Sequence, residues 1–114
     1  MKRANRIRKS ADFKSAIHDS FSSRTSAYLI NVKPNSLGRL RVGISTSKKI
    51  GNAVTRVRVR RQIRAFFAVY KMYEKSYDIV IAAKPGFLNR TSSENRDELL
   101  KEIQALITKG ETKK

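Results

Sequence analysis

Cysteine is absent from this chain, which excludes disulfides, thiolate nucleophiles and cysteine-based zinc sites. Histidine occurs once, as His18, so no multi-histidine metal site can form and imidazole catalysis has a single candidate. No run approaches the ~18 apolar residues of a membrane span. The basic start, Met1-Lys2-Arg3-Ala4-Asn5-Arg6, is followed by no apolar segment of the signal-peptide type. There is no P-loop, no G-x-G-x-x-G and no G-x-S-x-G. Internal repeats and low-complexity stretches are also missing. These absences predict a protein of the reducing cytoplasm with no membrane partner. Acidic residues are the last scarcity: 9 against 26 basic ones, a formal net charge of +17.

What is present is enough to fold. Hydrophobic residues make up 39% of the 114, with five phenylalanines and four tyrosines, richer than a disordered basic tail. This length accommodates one compact core and no second. The reading is a single domain over 1–114, with a basic arm over 1–9 and a frayed tail over 109–114 after a Gly110 stop.

The charge is unevenly spread. Residues 20–73 carry twelve basic groups and no acid, whereas residues 74–114 carry eight basic and seven acidic groups. A charge run usually marks a solvated face. Solubility alone, however, does not require fifty-four consecutive residues without a carboxylate. Such an excess suits an anionic partner, and nucleic acid fits it better than a membrane surface.

Periodicity supplies the elements. Ser10 is a candidate cap for a helix over about 11–19, with Phe13, Ala16 and Ile17 on one side. Tyr28, Ile30 and Val32 alternate with Leu29, Asn31 and Lys33 in a strand ended by Pro34. After the turn Asn35-Ser36-Leu37-Gly38, Leu40, Val42, Ile44 and Thr46 alternate with Arg41, Gly43 and Ser45, predicting an antiparallel partner strand. Tyr77 to Ala83 is nearly all apolar, the mark of a strand buried on both faces and stopped by Pro85-Gly86. A central helix over about 53–74 places Val59, Ile63, Phe66, Phe67 and Tyr70 within an arc of about 100°. A last helix begins near Thr91, with Glu94 completing a capping box and Leu99, Leu100, Ile103, Leu106 and Ile107 on its core face. The order is helix–strand–strand–helix–strand–helix: an α/β chain forming an α+β two-layer sandwich, a small mixed sheet covered by helices.

The strongest motif runs from Ser45-Thr46-Ser47-Lys48-Lys49-Ile50-Gly51-Asn52-Ala53-Val54 into Arg56, Arg58, Arg60, Arg61 and Arg64. Physically it is a strand end, two lysines, a glycine turn and an Asn52 cap on a helix loaded with guanidinium groups. Exposed N–H groups at such a helix start bind phosphate. Five arginines near the positive end of a helix dipole are locally unfavourable unless an anion covers them. Lys48, Lys49, Asn52, Arg56, Arg58, Arg60, Arg61 and Arg64 are therefore the candidate set for binding nucleic acid or phosphate. Val57 falls inside this basic arc and is read as exposed. Phe13, Ile17, Phe21 and Tyr28 cluster around the first helix and strand, mostly as core, with one or two lining a groove in which bases stack. Protein-based catalysis has little support. Glu94, Glu98 and Glu102 read as a solvated helix face, and His18 and Asp19 as residues on different sides of their helix. No catalytic and no metal-binding residues are assigned.

Residues 45–64 closely resemble the protein component of bacterial ribonuclease P, through the family's Ser-x-Ser-Lys-Lys-x-x-Gly-Asn-Ala-Val stretch and its arginine-rich helix. Arg6-Ile7-Arg8-Lys9-Ser10-Ala11-Asp12-Phe13 resembles the family's basic arm and first helix. Asp78-Ile79-Val80-Ile81-Ala82-Ala83-Lys84-Pro85 resembles its last strand. The resemblance implies a protein subunit that docks on a catalytic RNA and holds the 5′ leader of precursor tRNA, assisting Mg²⁺-dependent 5′ maturation. Mg²⁺ would be bound mainly by the RNA subunit, with none held by the protein alone and no DNA partner. It also implies a left-handed strand–helix–strand crossover, against the usual hand. The arginines would face the RNA subunit, and Phe13, Ile17, Tyr28, Ile30 and Lys84 the leader cleft. Two positions depart from the family: Arg56-Val57-Arg58 replaces an Arg-Asn-Arg triplet, and Asn31 stands where an aromatic is common. The competing reading is a ribosomal or ribosome-associated RNA-binding protein, from which only the 45–64 motif separates this chain.

Overall fold

The α+β sandwich is present, with one strand more than the periodicity predicts. A computed structural model describes residues 5–7, 9–69 and 75–112. Along the chain lie α1 (Ser10–Ile17), β1 (Phe21–Arg24), β2 (Tyr28–Pro34), β3 (Arg41–Thr46), α2 (Ala53–Val69), β4 (Tyr77–Ala83) and α3 (Ser92–Thr112). Short 3-10 turns sit at Lys48–Ile50 and Pro85–Asn89. Met1–Ala4, Arg8, the expected helical stretch 70–74 and its Tyr70 lie outside the described residues.

The four strands form one sheet in the order β1-β2-β4-β3. β3 is not the antiparallel partner of β2. It pairs in parallel with β4, which lies between them and runs antiparallel to β2. The reason is local as well as global. The turn after β2 is tied to the start of β4: Asn35 N–H donates to Ser76 O (2.9 Å), and Gly38 N–H donates to Ser76 Oγ (2.9 Å). β4, apolar on both faces, gains most by taking a central position with a neighbour on each edge. β1 escaped the pattern because Phe21-Ser22-Ser23-Arg24 is short and half serine; it adds to the outer edge of β2 with Phe21 opposite Val32.

Register sorts the strands into two faces. Tyr28, Ile30 and Val32 stand beside Ala83, Ile81 and Ile79, and Val42 and Ile44 share that side. This face is covered by α2 (Val59, Ile63, Phe66, Phe67) and α3 (Leu99, Ile103, Leu106, Ile107), forming the main core. Burying each such large side chain is worth about 1.5–3 kcal/mol. Leu100, expected on the same helix face, is only half-buried. The Tyr28 ring packs edge-on against Phe87, and its hydroxyl donates to Asn95 O (2.9 Å).

The opposite face changes character along its length. At one end Asp78 accepts from Arg41 Nη2 (2.7 Å), Arg41 Nε (2.9 Å) and Asn35 Nδ2 (2.8 Å). Burial pushes the Asp78 carboxyl up, but the Arg41 and Asn35 hydrogen bonds and the Arg41 and Lys33 charges outweigh it and hold it below the usual range. In the middle, α1 lays Ala16 and Phe13 over Val80, beside Ile7. The Phe13 ring lies so close over Gly43 that a Cβ there would come within 2.5 Å of it. At the far end the sheet is uncovered.

The helix ends depart in part from the sequence pattern. α1 begins at Ser10 itself, after Lys9, whose side chain makes no capping bond, so Ser10 is the first helical residue rather than the cap. Thr91 and Glu94 form the expected reciprocal box, with Glu94 N–H donating to Thr91 Oγ1 (3.1 Å) and Thr91 N–H to Glu94 Oε1 (3.1 Å). Gly110 does not stop α3, and no frayed tail begins at residue 109: the helix continues to Thr112. Gly110 is buried because the Phe21 ring approaches it, 3.1 Å from where a Cβ would stand.

Candidate nucleic-acid interface

Asn52 starts the basic helix as the sequence predicts. Its Oδ1 accepts from Thr55 N–H (3.0 Å), and its carbonyl accepts from Arg56 N–H (3.0 Å). Ser47 caps the preceding turn by accepting from Lys49 N–H (3.1 Å), which leaves Lys48 and Lys49 exposed beside the helix start. Apolar burial of Val59, Ile63, Phe66 and Phe67 against the sheet fixes the rotation of α2, and the arginines take what remains of its surface.

They do not form one undivided patch. Arg56, Arg60 and Arg64, spaced four residues apart, are half-buried and form a row beside β3. Arg60 Nη1 donates to Thr46 Oγ1 (2.9 Å). Arg64 shares a small hollow with Val42 and Ile44 of β3 and with Arg6 and Ile7 of the basic arm. Residues 5–7 of that arm run beside β3, with Ile7 N–H donating to Val42 O (2.9 Å) and Asn5 Nδ2 to Leu40 O (2.6 Å). Arg58 and Arg61 form a second, exposed row, which with Ala53, Val54 and Val57 lines a shallow groove made by α2 alone. Val57 is 43% exposed, outside the core as its place in the basic arc predicts.

The electrostatics are those of an incomplete site. Among the described residues no carboxylate pairs with Lys48, Lys49 or any of the five arginines. Burial, together with the charges of Arg6 and Arg60, lowers the Arg64 pKa from its ordinary value. Arg56 Nε is buried with no protein acceptor. Like charges held this close are stabilised by a polyanion and by little else.

The expected leader cleft needs correction. Tyr28 and Ile30 are both 0% exposed on the helix-covered face, so neither can meet a nucleotide. Phe13 is half-buried against the sheet, and Ile17 is 46% exposed at the end of α1. Lys84 lines a hollow of about 350 Å³ at the uncovered end of the other face, with Arg24, Leu29, Ser45, Thr46, Ser47, Ala82 and Ala83. Lys84 Nζ donates to Thr25 O (2.9 Å), which holds the ammonium group near β1. Arg24, Leu29, Ser45 and Ala82 were missed. Alternation contained the signal for Leu29, since a strand whose even positions are core turns its odd ones to the other face. Asn31, on that same face, is buried and accepts from Ser20 Oγ (3.0 Å).

The acidic residues have other work. Glu98 pairs with Arg90, Glu102 accepts from Ser23 Oγ (2.9 Å), and Glu94 caps α3, so the three are not a plain solvated stripe. His18 and Asp19 follow α1 and meet at 3.3 Å, both exposed, rather than diverging around a helix. Among the described residues no three His, Cys, Asp or Glu side chains gather as a metal site, and no helix is long and apolar enough to cross a membrane.

Comparison with known proteins places these features. The chain matches the Ribonuclease P family over residues 1–109. It is 39% identical over 103 residues to the ribonuclease P protein component of Mesoplasma florum, covering 89% of this chain and 94% of that one. With the corresponding protein of Halalkalibacterium halodurans it is 43% identical over 91 residues, 75% of each chain. Among solved structures, the Staphylococcus aureus RNase P protein superposes with a TM-score of 0.79 at 32% identity, covering 91% of this chain and 98% of that one. The Thermotoga maritima protein gives 0.74 at 25% identity, covering 84% and 92%.

Proposed function

The chain belongs to the ribonuclease P protein family and is the protein component of that tRNA-processing ribonucleoprotein, and from this premise we propose how its two surfaces are used. The basic helix α2, with Lys48 and Lys49 at its start, docks on the RNA subunit. The hollow between Arg24 and Lys84 receives the single-stranded 5′ leader of precursor tRNA. The observation that carries this reading is the acid-free run 20–73 folded into arginine rows beside an uncovered sheet end.

The protein's part is binding and orientation. Arginine and lysine heads neutralise phosphates, and each phosphate so neutralised releases counterions. Leu29 and Ala82 give the hollow an apolar floor on which bases or riboses rest without sequence readout. The cleavage chemistry belongs to the RNA subunit with Mg²⁺. The complex acts where precursor tRNA is made, in the cytoplasm.

Reconstitution tests the reading. With a ribonuclease P RNA and Mg²⁺, the protein should accelerate accurate 5′ maturation at low salt and favour precursor over mature tRNA. Alone, freed of RNA, it should cleave nothing. Hydrolysis by RNA-free protein that disappears in Glu98→Gln or His18→Ala would overturn it.

A further inference from the structure

Thr46 lies inside the Ser45-Thr46-Ser47-Lys48-Lys49 motif, and neither the basic helix nor the core explains it. It is the last residue of β3 and stands beside Ala83 of β4 in the register. It also lines the hollow at the uncovered sheet end. Thr46 therefore occupies the rim where the helix-covered face meets the proposed leader cleft. Its Oγ1 accepts from Arg60 Nη1 at 2.9 Å. No other arginine of α2 makes a hydrogen bond to a residue of that hollow, among the described residues. Among the described residues the remaining N–H groups of Arg60 have no protein acceptor, so the guanidinium is held by one corner with its other donors available. A guanidinium fixed in this way loses less freedom on meeting a phosphate than one swinging on a free side chain.

We propose that Thr46 is a positioning residue that holds Arg60 at the rim of the cleft, where Arg60 takes a phosphodiester of the precursor. This rests on the function proposed above. It divides the labour on α2: Arg60 works toward the precursor, while Arg58 and Arg61, in the groove that involves no sheet residue, work on the RNA subunit.

The test uses the reconstituted holoenzyme and measures Kd for precursor tRNA with a leader and for mature tRNA. Thr46→Val removes the hydroxyl but keeps the branched shape. It should weaken precursor binding about three- to tenfold, as for one hydrogen bond, and mature tRNA binding much less. Thr46→Ser should restore the precursor affinity. In an Arg60→Ala background, Thr46→Val should add nothing, because the group it positions is gone. Equal losses for precursor and mature tRNA, or the same loss with and without Arg60, would show that Thr46 only supports the strand end. Should Thr46→Val fold poorly, Arg60→Ala alone decides, since a loss confined to the precursor is required. If the wild-type holoenzyme shows no precursor preference, the functional reading fails. A preference that is present but indifferent to both Thr46 and Arg60 defeats only the inference.

Discussion

The two faces of the sheet are drawn from alternate residues of the same strands, yet they do opposite things. Ile30 and Leu29 are neighbours in β2. Ile30 is sealed beneath α2 and α3, while Leu29 floors an open hollow. The covered face is apolar through its centre and carries stability, with polar residues such as Ser23 and Thr46 only toward its edges. The other face is graded, from the Asp78–Arg41 ion pair, through the small cluster under α1, to the uncovered end between Arg24 and Lys84. Two helices of apolar surface are enough to close one side of a small sheet, and the single short helix left for the other cannot reach its end. An open hollow remains where the supply of covering helix runs out.

That contrast can be broken most sharply at β2. Ile30→Ala should cost about 2–5 kcal/mol of stability in urea unfolding, the range for emptying a core site. Leu29→Ala should cost far less, yet weaken precursor binding relative to mature tRNA. Equal destabilisation by the two would mean that the faces are not distinct.

The polar end of the graded face comes next. Asp78→Asn should lose about 1.5–3 kcal/mol at neutral pH, as expected for charge-assisted hydrogen bonds. The pH dependence follows from the direction of the shift. A carboxyl held below its unfolded pKa stabilises the fold above that value, and the contribution disappears as pH falls through the folded one. The gap between wild type and Asp78→Asn should therefore be constant above about pH 4 and narrow only below it, going on closing as the pH falls through the lower folded-state value. A gap that does not narrow at all in acid would show that Asp78 acts through packing.

The arginine rows give smaller, salt-dependent effects. For assembly with the RNA subunit, Arg58→Ala or Arg61→Ala should flatten the dependence of log K on log salt by roughly 0.7 for each phosphate no longer neutralised, with the thermal midpoint unchanged. An unchanged slope in both would remove the outer row from the interface. The smallest effect is expected at Val57. An Asn there can donate to a phosphate where Val cannot, so Val57→Asn should tighten RNA binding by about 0.5–1.5 kcal/mol and leave stability nearly untouched. A marked loss of stability with no gain in affinity would show that Val57 packs against its partner.

The local signals carried much of this. The alternation in β2 and β3, the unbroken apolar run of β4, the Asn52 cap, the Thr91–Glu94 box and the arginine periodicity of α2 are all properties of a few consecutive residues, and each recurs in the structure. The basic candidate set was legible for the same reason, because its residues lie on one helix and the turn before it. The cleft was not. Phe13, Ile17, Tyr28, Ile30 and Lys84 look alike as a list of large or basic residues near the first strand, but Tyr28 and Ile30 went to the core. Their parity along β2 was visible; which parity the helices would cover was not.

Composition and charge order determined by themselves that this is a folded, acid-poor domain with a cationic helix made for a polyanion, and the 45–64 motif determined its family. Strand order was decided by the tertiary structure, because pairing β4 between β2 and β3 depends on contacts across 37 and more positions, such as Arg41 with Asp78. The identity of the open face was decided there too. A strand has the same period on both sides, and only the packing of α2 and α3 against one of them leaves the other open at its end.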